Sequence, residues 1–76
     1  MAEVTGRDDY IMWQALIYAI AAIDSLPVHE RELSNQEDMR LLLAVRFPDA
    51  ATDPAALQVA QRVRKRFGLA PVTEVL

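Results

Sequence analysis

Apolar residues recur every three or four positions in three stretches, parted by short polar or proline-bearing breaks, and no run alternates long enough to make a strand. The first stretch, residues 10–23 (YIMWQALIYAIAAI), is apolar at every position but Gln14. Asp8 or Asp9 is placed to cap it at the positive end of the helix dipole. Pro27 stops it, because the residue before a proline is driven out of the helical region. A helix over about 9–25 is predicted, after a frayed stretch at 1–7.

Ser34-Asn35-Gln36-Glu37 has the spacing of a capping box, in which the Ser34 side chain and the Glu37 carboxylate satisfy each other's backbone amides. A second helix is predicted there, over about 35–47, ending before Pro48. Asp53-Pro54 starts a third, with aspartate as cap and proline at the first helical position. It runs over about 54–67, Gly68 being placed for a left-handed C-cap and Lys65 and Arg66 for the negative end of the dipole. Residues 69–76 carry Pro71 and read as an extended tail that docks on something. The expected fold is all-α: one domain, a small three-helix bundle with an extended C-terminal tail.

The three helices differ in how much of their circumference is apolar. In the third, Ala56, Val59, Ala60, Val63 and Phe67 fall on one stripe, with Gln58, Gln61, Arg62 and Lys65 opposite. In the second, Met39, Leu42 and Leu43 centre a wider stripe that Leu41 and Val45 extend, with Glu37, Arg40 and Ala44 on the wetter side. The first has two apolar faces: Met12, Trp13, Leu16, Ala19, Ile20 and Ile23 make one, and Ile11, Ala15, Tyr18 and Ala22 make another. A helix apolar all round must be covered all round, and two short helices cover about half of it. The second face therefore reads as a homodimer interface, formed by Ile11, Ala15, Tyr18, Ala19 and Ala22, whose alanines permit close approach. The competing expectation is a compact monomer in which the tail and residues 27–33 cover that face.

Composition supports association. A chain of 76 residues is small for a stable core, yet 53% of it is apolar and it has no cysteine to staple it. Charge is uneven: residues 1–61 hold four arginines against ten carboxylates, while residues 62–76 hold four basic residues against Glu74. An acidic body disfavours polyanions. The basic end nonetheless allows an alternative, a dimeric helix-turn-helix-like DNA-binding protein reading bases with Gln58, Gln61, Arg62 and Lys65, or contact of the same residues with an acidic partner. Against it, residues 47–53 are longer than the usual turn, and the charges lie at the wrong end of the helix.

Little here suggests catalysis or a cofactor. His29 is the single histidine, so His29-Glu30-Arg31-Glu32 lacks the second imidazole of a zinc helix. Ser25 and Ser34 have no histidine at a motif spacing, and Gly6 and Gly68 cannot build a phosphate loop. No catalytic, cofactor or metal residue is assigned. A further alternative is an apolar-ligand sensor with a pocket near Trp13, lined by Tyr10, Tyr18, Met12 and Met39. Fourteen apolar residues reach about 21 Å, less than a bilayer needs, and residues 1–9 lack the positive charge of an export signal. A cytoplasmic protein without membrane contact is expected. Twelve alanines, and seven arginines to one lysine, fit a bacterial chain from a GC-rich genome. The leading expectation is a non-enzymatic, homodimeric interaction module, an accessory or regulatory protein whose partner is itself or another protein.

Overall fold

A computed structural model describes residues 7–76. It contains α1 (Arg7–Asp24), a single 3-10 turn (Val28–Glu30), α2 (Leu33–Arg46), α3 (Pro48–Thr52) and α4 (Pro54–Arg66), with no strand among the described residues. The all-α expectation holds, but the α-helices among the described residues number four. Residues 48–52 are a short helix rather than a loop, because Pro48, which ends α2, also stands at the first helical position of α3 with Asp49 in its first turn.

α1 is the central element: α2 packs on one flank and α4 on another, while α3 joins the two outer helices. The core is built from Ile17, Ile20 and Ala21 of α1, Leu43 of α2, and Val59, Ala60 and Val63 of α4. Trp13, Leu16, Met39, Phe47, Leu69 and Val75 pack around its edge. The stripe expected on the last helix is buried at Ala56, Val59, Ala60 and Val63, while those expected on the first two helices are displaced. On α1 the buried face centres on Ile17, Ile20 and Ala21, while Met12 turns outward. On α2 the inner seam is Gln36, Met39, Arg40 and Leu43, leaving Leu41, Leu42 and Val45 exposed. Phe67, expected on the buried stripe of the last helix, is exposed, since it lies past the last helical turn as the C-cap.

The caps show why some boundaries moved. Asp53 accepts from the Ala55 amide at 2.9 Å, with Pro54 behind it, as the sequence implies. Gly68 takes a φ of 73°, its amide reaches the Lys65 carbonyl and the Leu69 amide the Arg64 carbonyl, a Schellman closure. The capping box does not form. α2 begins at Leu33 with Glu32 as an N-cap that makes no side-chain bond, so Ser34 is already helical. Asp8 and Asp9 likewise lie within the first turn of α1, where they complement the dipole without capping it. Arg7 opens α1, and the rest of the stretch expected to fray lies outside the described residues.

The tail folds back antiparallel to α4. Arg64 Nε donates to the Ala70 carbonyl at 2.7 Å. The Gln61 carboxamide pairs with Val72 twice, accepting its amide at 2.9 Å and donating to its carbonyl. Leu69 and Val75 then anchor on the core. The tail thus docks on its own chain, along α4 and away from the outer face of α1.

Candidate interaction surface

Two regions gather side chains with a purpose beyond filling the core. The first is an internal polar hub at the C-terminal end of α1. Gln36, buried, donates through Nε2 to the Ile20 carbonyl at 3.0 Å and to Asp24 Oδ1 at 2.7 Å. Arg64 donates to Asp24 Oδ2 at 3.1 Å, and Arg40 stands 4.0 Å from the same oxygen. A carboxylate at the negative end of a helix dipole is unfavourable, and α1 has no basic residue in its last turn. Arginines from α2 and α4 supply the compensation. Burial alone would push the Asp24 carboxyl up, but hydrogen bonds from Gln36 and Arg64 and the charges of Arg40 and Arg64 outweigh it, so the group titrates below its ordinary 3.8.

The second region is the surface the helices leave uncovered. On α1, Ile11, Ala15 and Tyr18 are exposed and Ala19 and Ala22 half-buried. Ile11 and Met12 each keep 48% of their area in solvent. Across the α1–α2 boundary lies an open groove of about 570 Å³, walled by Met12, Ala15 and Ala19 on one side and Leu42 and Arg46 on the other. Leu42 and Arg46 continue it onto the outer side of α2, where Leu41 is 61% and Val45 66% exposed. Exposed apolar side chains therefore stand on both helices that wall the groove, a feature that marks interaction sites in water-exposed proteins. Of the five residues singled out on α1, Ala15 and Ala19 line the groove, while Ile11, Tyr18 and Ala22 lie outside it. The contribution of α2 was missed, because Leu41, Leu42 and Val45 belong to the same apolar run as the buried Leu43.

The basic residues of α4 are divided. Gln58, Arg62 and Lys65 are exposed, as expected. Gln61 is occupied by the tail and Arg64 by Asp24, so neither presents its polar group outward. His29 meets Glu30 at 3.6 Å in the exposed connection, and no group of three metal-ligating side chains occurs among the described residues. Near Trp13 lies a cavity of about 200 Å³ with Asp9, Asp49, Asp53 and Arg46 around it, and none of Tyr10, Tyr18, Met12 and Met39 lines it. Tyr10 stacks edge-on against Trp13 instead, ring centres 4.9 Å apart. No helix among the described residues is long and apolar enough to cross a membrane. No protein-family model matches the chain, and neither does any curated protein or solved structure.

Proposed function

We propose that the chain is a non-enzymatic protein–protein interaction module that works as a homodimer, an accessory or regulatory protein whose working surface is the outer side of α1 and α2. The observation that carries this reading is the number of large apolar side chains left exposed on the two helices that wall the groove, Ile11, Met12 and Tyr18 on α1 and Leu41, Leu42 and Val45 on α2. The polar groups that the fold does bring together, around Asp24, are used to tie helices to one another. Large aliphatic groups contribute about 1.5–3 kcal/mol each when fully buried, so a second copy laid over this surface gains most of what the monomer leaves in water.

The test is absolute molar mass by light scattering over a hundredfold concentration range. About 17 kDa, twice the 8.5 kDa chain, is expected. Ala15→Arg should return the mass to 8.5 kDa at unchanged helicity, because Ala15 is exposed on the wall of the groove. A wild-type chain that stays at 8.5 kDa throughout refutes the proposal.

A further inference from the structure

Opposite its buried seam, α2 carries Asp38, Leu41, Leu42, Val45 and Arg46 on one exposed stripe. Asp38 precedes Leu42 by four residues and Arg46 follows it by four, so opposite charges stand about 6 Å to either side of Leu42 along the axis. Leu41 and Val45 fill the space between them. Neither Asp38 nor Arg46 forms an ion pair among the described residues.

A stripe that is negative at one end, apolar in the middle and positive at the other is its own complement when reversed. Rotation by half a turn about an axis through Leu42 sets the Asp38 of each copy against the Arg46 of the other, the reciprocal matching that a closed two-fold interface requires. Leu42 and Arg46 also wall the α1–α2 groove, so the same rotation brings Met12, Ala15 and Ala19 against the second copy's helices. Two α1–α2 hairpins then make an antiparallel four-helix bundle, with α4 left on the outside.

We infer that the second copy docks with its α2 antiparallel to this one, the two-fold axis passing Leu42 and Asp38 pairing with Arg46 twice. This rests on the homodimer reading. An unrelated partner would need no such symmetry in the charges of one helix.

The pattern can be tested by exchanging its signs. Asp38→Arg and Arg46→Asp each place like charges opposite one another twice, and each should weaken the dimer at least about tenfold. Mixed in equal amounts, the two variants restore opposite signs at both contacts, and the mixture should recover about 17 kDa, twice the 8.5 kDa chain. Both positions are exposed, and circular dichroism checks that the helices persist. Because the chain has no cysteine, Leu42→Cys places a single thiol on the axis. Helices about 8–10 Å apart bring facing residues within disulfide reach, so mild oxidation should yield a covalent dimer, whereas Arg62→Cys on α4 should not. A dimeric wild type whose variants fail to recover on mixing, or whose Leu42→Cys form does not cross-link, overturns the axis and leaves self-association standing. A wild type of 8.5 kDa at every concentration overturns both.

Discussion

The two halves of α1 meet opposite fates. Its C-terminal half buries Ile17, Ile20, Ala21 and Ile23, leaves Tyr18 exposed, and ends in the Asp24 hub, held by Gln36, Arg40 and Arg64. Its N-terminal half leaves Tyr10, Ile11 and Met12 each with two-fifths to one-half of its area in water, with Trp13 and Leu16 half-covered. Both halves are rich in apolar residues, so hydrophobicity did not decide between them. The difference lies in what the neighbouring helices offer. α4 brings Val59, Ala60 and Val63 to the C-terminal half, where the polar hub fixes the angle of approach. Toward the open half, the outer side of α2 supplies more apolar surface and no cover. A short chain with enough hydrophobic residues for two cores has built one of them, and the other is a surface.

The largest effect should come from the closed half. Ile17→Ala empties a core position and should cost about 2–5 kcal/mol, read as a fall in the urea midpoint at unchanged slope. Gln36→Ala removes both bonds that tie α2 to the end of α1, and about 1–3 kcal/mol should go with them. If its cost instead matches that of an exposed glutamine such as Gln58→Ala, the hub does not hold the halves apart. The hub should also set the acid limit. Because the folded pKa of Asp24 lies below its ordinary 3.8, the stability from its pairing is complete above that value and is lost as pH falls through the lower, folded one. Asp24→Asn should therefore flatten the acid limb of the stability curve. Gly68→Ala meets no atom within 4 Å, so only the positive φ resists it, at about 1 kcal/mol. Smallest of all is Ile11→Ala, within about 0.5 kcal/mol when unfolding is followed at concentrations that keep the chain monomeric. A cost near that of Ile17→Ala would mean the two halves are equally covered.

The features legible in the sequence are those decided within a few residues. Asp53-Pro54 and Gly68 act on backbone groups two or three positions away, and both did what their residue types require. The uncovered face of α1 was legible as well, because no arrangement of two short helices encloses a helix apolar all round. Choices made over longer distance were not. Gln36 sits inside a run that spells a capping box, yet its side chain serves Ile20 and Asp24, sixteen and twelve residues earlier. Arg64 reads as one of four clustered cations, and its bonds to Asp24, forty residues away, and to the Ala70 carbonyl of the tail separate it from the others. Pro48 shows a different limit. The same residue type that ends one helix also begins the next, and with Asp49 following it both roles applied. On α2, five apolar positions compete for one narrow seam, and periodicity does not say which of Leu41, Leu42 and Leu43 goes inside.

The carboxamide of Gln61 grips the main chain of Val72 by both its donor and its acceptor, as a neighbouring strand would. In a hydrogen-exchange experiment that one amide should therefore be slow to take up deuterium among faster amides at Thr73 and Glu74. Its exchange rate reports directly how often the tail lifts from α4, a local opening that the global unfolding midpoint does not register.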